Sequence, residues 1–571
     1  MFDLKITNGT IVDGTCGATF VGDVAIKDGV IVGVGSSVDG DAAEVIDATD
    51  RIVTPGFVDI HCHYDGQATW DALLEPSSLH GITTVVVGNC GVGFAPVADD
   101  QRDWLIELME GVEDIPGTAL NEGITWGWES FPEYLDVLAS KPRAIDIGAL
   151  VPHGALRTYV MGQRGATDQL ASPDDIQRMG HLAAEAVAAG ALGFSSNRLE
   201  GHKSKSGIPV PGTYADEAEL AGIIGAIGRV RQATVEWAAA GNLGGGIGQA
   251  AGGQFSMMRR IAEDSGNRML FTINEVHGNP GHWRRQLDKV AAMVDDGVAA
   301  FPQVHGRGFC LLMGFDTTLH PFRFAPRWPG LAALPFDQRL QRLSETAVRR
   351  QLIDEAIEVG DLTNGFLQYD MVFSMGDPPN YEPSADESMA AIAKGEGRHV
   401  LEVVYDRMLA NDGRNLLSLQ IINYAHANLD SSREMLLHPL TVLGGSDGGA
   451  HCATASDASM PSFMLSYWAR DRVAGRLPLE LLVHKMTAAT AAVFDMDDRG
   501  VLAVGKKADV NVIDLAGLQL GLPEMRYDLP AGGKRLVQSA VGYDATIVSG
   551  TVTRRHGVDT FARPGELVRS A

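Results

Sequence analysis

The chain is 571 residues long, 45% hydrophobic and 21% charged. That composition excludes global disorder, and the length exceeds one ordinary domain. A formal charge of −26 with an isoelectric point near 5.0 argues against a nucleic-acid or anionic-membrane partner, because like charge repels.

The N-terminus, Met1-Phe2-Asp3-Leu4-Lys5, lacks the pattern of a secretory signal, and no run is long enough to cross a bilayer. Cys16, Cys62, Cys90, Cys310 and Cys452 are odd in number and widely scattered, which does not suit a disulfide framework. The expected location is the cytoplasm, with no membrane partner.

From Phe2 to Thr54 the pattern is short strands. Asn8-Gly9, Asp13-Gly14 and Asp28-Gly29 stand between alternating apolar residues and read as hairpin turns. The far end has the same texture in Ala508 to Asp514 and Ala545 to Val552. Neither end can bury a core alone, so the two are expected to pair into one small β-sandwich.

Between them, apolar strand-like runs alternate with helical patterns. The predicted strands are Val58 to Ile60, Thr83 to Gly88, Asp146 to Val151, Gly193 to Ser195, Ala233 to Trp237, Met269 to Ile273, Ala299 to Val304 and Thr441 to Gly444. Helices are predicted between most of them, among them Asp174 to Ala189 and Ala218 to Val230. Such alternation requires parallel strands joined by crossover helices, and about eight units imply a closed (β/α)8 TIM-like barrel of the α/β class. The expected division is residues 1–56 for the first part of the sandwich, 57–499 for the barrel and 500–571 for the rest of the sandwich. An insertion over about 307–438 includes the loop-like Gly376 to Pro383 and is expected to cover the barrel mouth.

In a parallel barrel, functional side chains sit where the strands end. His61 and His63 end the first predicted strand, and residues i and i+2 of an extended segment share a face. Taken alone, a His-x-His is more often a pair of ordinary core or surface groups. Here Cys90 ends the second strand, and Asp447, in Ser446-Asp447-Gly448-Gly449-Ala450-His451, ends the last. Barrel closure makes first and last strands neighbours. Two imidazoles, a thiolate and a carboxylate suit zinc.

The order of β segment, Pro55-Gly56-Phe57-Val58-Asp59-Ile60-His61-Cys62-His63, late Asp447 and returning β segment resembles the amidohydrolase superfamily. Gly81 to Gly91, Val151 to Arg157, Gly193 to Ser196 and His484 to Ala492 are similar to its D-aminoacylase, or N-acyl-D-amino-acid deacylase, branch. The resemblance implies that Cys90 is a zinc ligand and that His61, His63 and Asp447 hold a metal position. One zinc is the favoured count, with Cys90 near or bound and a second ion as the alternative. The branch also places two further histidines on the fourth and fifth barrel strands, where this chain reads Ala233-Thr234-Val235-Glu236-Trp237 and Thr272-Ile273-Asn274-Glu275-Val276-His277. The alternatives are oxygen from Glu236, Asn274 or Glu275 in place of an imidazole, an approach of His277 or His282 from the loop, or an empty position.

The deacylases also carry a basic residue after the late aspartate, suited to a substrate carboxylate. This chain has no arginine there, which leaves Arg157, Arg198 or Arg307 to supply the charge. The resemblance implies hydrolysis of a small-molecule amide by a metal-activated water, with Asp447 as general base and then acid. His153 is a candidate oxyanion donor, and Asn89 either orients the Cys90 thiolate or makes the turn. Tyr214 is expected at the mouth, with His451 a supporting neighbour of Asp447. An N-acyl amino acid is the leading substrate class. The alternatives are another amide, a carbamate, a cyclic amide or an ester, and, from a different class, a non-catalytic scaffold. A homo-oligomer is common for such barrels by resemblance.

Overall fold

The computed structural model describes residues 1–239, 250–360 and 367–570. Its central sheet has eight parallel strands in chain order. They are β1 (Phe57–Asp59), β2 (Ile82–Val87), β3 (Asp146–Pro152), β4 (Gly193–Asn197), β5 (Thr234–Ala238), β6 (Arg268–Thr272), β7 (Ala300–Val304) and β8 (Val442–Leu443). β2 reads Ile-Thr-Thr-Val-Val-Val and is buried throughout. Such β-branched runs suit strands covered on both faces.

The sheet closes just past the ends of its first and last strands. Cys62 bridges Gly448 in parallel, Asp447 N donates to His61 O at 3.1 Å, and His63 N donates to Gly448 O at 2.7 Å. The predicted TIM-like barrel is therefore observed. The two stretches expected on the fourth and fifth strands belong instead to β5 and to the end of β6, because Gly193–Asn197 is itself a strand of the sheet. Crossover helices are set by local signals. Ser172 caps Pro173–Ala188 reciprocally with Asp175, with proline in the first turn, and Asp216 caps Glu217–Gly228.

The two chain ends share one nine-stranded sheet. Ile52–Pro55 pairs antiparallel with Val510–Ile513, with Val53 opposite Val512. Leu4, Ile6, Val24, Ile26, Val53, Val510 and Ile547 form its apolar core. The predicted pairing of the ends is seen, as one continuous hydrogen-bonded sheet. Asp28-Gly29 makes the expected tight turn between Phe20–Lys27 and Val30–Gly35. Asn8-Gly9 does not: it lies inside the strand Phe2–Ile11, where the register shifts between Ile6 and Gly9. A Cβ at Gly9 would sit 2.4 Å from Val53 Cγ2, so close strand contact accounts for that glycine.

Between β7 and β8 the chain adds a three-stranded antiparallel sheet (Phe309–Met313, Leu417–Ile422 and Val372–Ser374) and several helices. Phe315, Phe322, Trp328, Leu352, Tyr405 and Met408 give this insertion a separate apolar core. No helix among the described residues is long and apolar enough to cross a membrane.

Candidate metal centre

A cavity of about 380 Å³ opens at the ends of the barrel strands. His61, His63, Cys90, Asp447 and His451 line it, from segments nearly four hundred positions apart. His61 Nε2 is 3.4 Å from Cys90 Sγ and 3.4 Å from Asp447 Oδ1. His63 Nε2 is 3.8 Å from the same carboxylate oxygen. One donor atom from each of His61, His63 and Cys90 lies within 4.8 Å of the others. Zinc–ligand bonds of about 2.0–2.3 Å in a tetrahedron put neighbouring donors roughly 3.3–3.8 Å apart. The separations of Cys90 Sγ and Asp447 Oδ1 from His61 Nε2 fall in that range, and His61, His63 and Cys90 are the three whose donors all lie near one another.

The backbone explains how they meet. Cys90 sits in the left-handed region at φ 56° on a tight turn after β2. Gly88 admits that turn, since a Cβ there would lie 2.2 Å from Leu150 O. Asn89, fully buried, donates to Cys62 O at 3.2 Å and Val86 O at 2.9 Å, tying the turn to the histidine segment. Asp447 also has positive φ, 48°. Ser446 Oγ bonds Asp59 and donates to His61 O at 3.1 Å, clamping the last strand end to the first.

The electrostatics of the centre are set by burial. Burial pushes Asp447 up to about 6 and Glu236 up to about 8. Burial also pushes the Cys90 thiol well above its usual range, and the charges of Glu236, Glu113 and Asp447 push it further. His61 is pushed down to about 4 by burial and so presents a neutral ring. His63 Nδ1, Glu113 Oε1 and Glu236 Oε1 are buried without a hydrogen-bond partner. A concentration of acids, a thiol and neutral imidazoles of this kind fits a divalent ion.

Several residues singled out in the sequence lie elsewhere. Fully buried His153 bonds Ser196 Oγ at 3.0 Å and Glu219 Oε1 at 2.9 Å and does not line the cavity, so both its ring nitrogens are engaged away from a substrate. Arg157 pairs with Glu219 at 2.7 Å and Asp168 at 3.1 Å. Arg198 donates to Ala215 O at 2.7 Å, and Arg307 is paired with Asp457 at 2.9 Å. None of these arginines, nor Asn89 or the half-exposed Tyr214, lines the cavity.

Of the candidate replacements for the missing histidines, Glu236 accepts from Cys90 N at 2.8 Å, and Asn274 lines the cavity. Glu275 is turned to Ser431 Oγ at 2.6 Å and Ala425 N at 3.0 Å. His277 Nε2 lies 3.3 Å from Gln420 O. His282 begins the helix His282–Asp295 and does not line the cavity.

The structure adds residues that sequence reasoning missed. Gln303 Oε1 lies 3.2 Å from His61 Nδ1, and His305 lines the cavity. Both are at the end of β7, where the strand-end rule points. Glu113 and Arg323 line the cavity from a crossover helix and from the insertion, with no local motif to mark them. Phe309, Leu311, Leu319, Ile421 and Ile422 make one wall apolar.

A family model described as the amidohydrolase family matches residues 44–554. The D-aminoacylase of Alcaligenes xylosoxydans xylosoxydans is 27% identical over 525 residues, covering 90% of this chain and 88% of that protein. The structure is similar to that of N-acyl-D-glutamate deacylase from Bordetella bronchiseptica, complexed with zinc and a phosphonate inhibitor, with a TM-score of 0.66 at 24% identity over 100% of this chain and 99% of that one. A D-aminoacylase structure matches with a TM-score of 0.67 at 21% identity, covering 100% of both chains. These two structural likenesses concern the fold.

Proposed function

Because the chain belongs to the amidohydrolase family and is thus a metal-dependent hydrolase of C–N bonds, we propose that it removes the acyl group from N-acyl amino acids at a zinc centre held by His61, His63, Cys90 and Asp447. The observation that carries this reading is the spacing of those donors, with 3.4 Å from His61 Nε2 to both Cys90 Sγ and Asp447 Oδ1. A zinc ion bound there supplies Lewis acidity for the scissile carbonyl and lowers the pKa of water.

Asp447 takes the proton from the attacking water and delivers it to the departing nitrogen, since its carboxylate lines the cavity and lies within 4 Å of both imidazoles. Phe309, Leu311, Ile421 and Ile422 offer an apolar wall for the acyl chain and keep bulk water from the reacting groups. Arg323, the sole lysine or arginine among the described lining residues, is the candidate partner for a substrate carboxylate.

A second reading is favoured by the engagement of Arg157, Arg198 and Arg307 inside the protein: an amide with no free carboxylate, held mainly by the apolar wall. Zinc-loaded enzyme assayed on N-acyl-D-amino acids and on uncharged aryl amides separates the two. Turnover confined to the first set supports the deacylase reading, and turnover confined to the second overturns it.

A further inference from the structure

Each histidine of the pair turns one ring nitrogen toward the centre and the other away. His61 Nε2 faces Cys90 and Asp447 while its Nδ1 lies 3.2 Å from Gln303 Oε1. His63 Nε2 faces Asp447 at 3.8 Å while its Nδ1 lies 3.5 Å from Glu113 Oε1. A neutral imidazole carries one N–H, so the nitrogen that binds a metal must be the other, and an acceptor on the far side fixes that choice.

Glu113 is costly where it stands. It is 2% exposed and closes the helix Arg102–Glu113, the end at which the helix dipole repels a carboxylate. No lysine or arginine ion pair reaches it among the described residues; its ionic neighbours within 4 Å are His63 and His451. An unpaired buried carboxylate is destabilising, so packing alone does not explain it. The helix end is held in place by His451 N, which donates to Glu113 O. His63 Nδ1 and Glu113 Oε1 both lack any other partner, and closing by about 0.3 Å brings them to the upper limit of hydrogen-bond length.

We propose that Glu113 is the positioning residue of the metal centre: its carboxylate accepts the Nδ1 proton of His63 and leaves Nε2 free and directed at the metal. Gln303 does the same for His61 through a neutral amide oxygen. This inference rests on the reading that His63 is a ligand.

The test titrates metal-free protein with Zn(II) against a competing chelator and records the visible spectrum of the Co(II) form. In Glu113→Ala, zinc affinity should fall about 10- to 100-fold with stoichiometry unchanged, and the cobalt bands should shift. Glu113→Gln keeps an acceptor and should recover most of the affinity. Glu113→Asp keeps the charge but withdraws the acceptor by one methylene, so it should fall toward the alanine value; it also serves if the alanine variant does not fold. Wild-type affinity and an unaltered cobalt spectrum in Glu113→Asp or Glu113→Ala would overturn this inference alone. Loss of a whole ion that glutamine does not restore would overturn it by making Glu113 a ligand. A wild-type chain that binds no zinc would remove the metal-centre reading as well.

Discussion

Replacing Asp447 with asparagine tests the proposed chemistry with little disturbance of the fold. The residue has φ 48°, a region that costs most side chains about 1–2 kcal/mol but that asparagine tolerates. Alanine there would mix backbone strain with chemistry. Asparagine also keeps the backbone bonds of the turn, from Asp447 N to His61 O at 3.1 Å and from Ala450 N to Asp447 O at 2.9 Å. It retains a side-chain oxygen near His61 Nε2, so zinc should weaken rather than disappear. What it removes is the basic carboxylate.

A positioned general base and acid contributes about 10²- to 10⁴-fold, or about 2.7–5.4 kcal/mol of barrier. We therefore expect kcat/KM on an N-acyl amino acid to fall by at least about 100-fold, with the melting temperature within a few degrees of wild type. The assay pairs kcat/KM at saturating zinc with plasma emission on the same sample. Turnover within about tenfold of wild type in a fully zinc-loaded variant would refute the role assigned to Asp447.

Removing both imidazoles, in His61→Ala with His63→Ala, should abolish stoichiometric zinc binding; one zinc per chain in the purified double variant would sink the ligand assignment. Arg323→Met should raise KM about 10-fold or more for an N-acyl amino acid, the worth of a charge-assisted hydrogen bond, and leave an uncharged aryl amide unaffected. Equal effects on both would show that Arg323 does not read a carboxylate. At the opposite end of the barrel, Arg499 is paired with Asp146 at the start of β3 and donates to Thr84 Oγ1 of β2 at 2.9 Å. Arg499→Met should cost about 2 kcal/mol in urea unfolding, the worth of a hydrogen bond to a charged group, since Asp146 keeps Lys507 as its other cationic partner, while kcat at low temperature stays near wild type, as expected for a residue at the stability face. A large loss of kcat with unchanged stability would contradict this division.

Much of the fold is local information. β-branched runs buried on both faces specify β2, a serine–aspartate box starts Pro173–Ala188, and the alternation of such segments leaves a closed parallel barrel as the solution. The spacing of His61 and His63 and the strand-end positions of Cys90 and Asp447 were equally readable, because extended geometry and barrel topology are set by short stretches and their order.

Other features depend on what each segment packs against. Asn8-Gly9 has the composition of a hairpin turn, yet the approach of Val53 makes it a bulge within a strand. Arg157, Arg198 and His153 have the chemistry of substrate contacts, but Glu219, Asp168 and the carbonyl of Ala215 engage them inside the protein. Glu113 carries no motif at all; the packing of its helix brings its carboxylate to His63. The sequence by itself determined which side chains end the strands and hence which donors can meet. Tertiary structure decided which charges stay free to face the cavity, because a buried charge goes to whichever partner compensates it, and that partner lies far away along the chain.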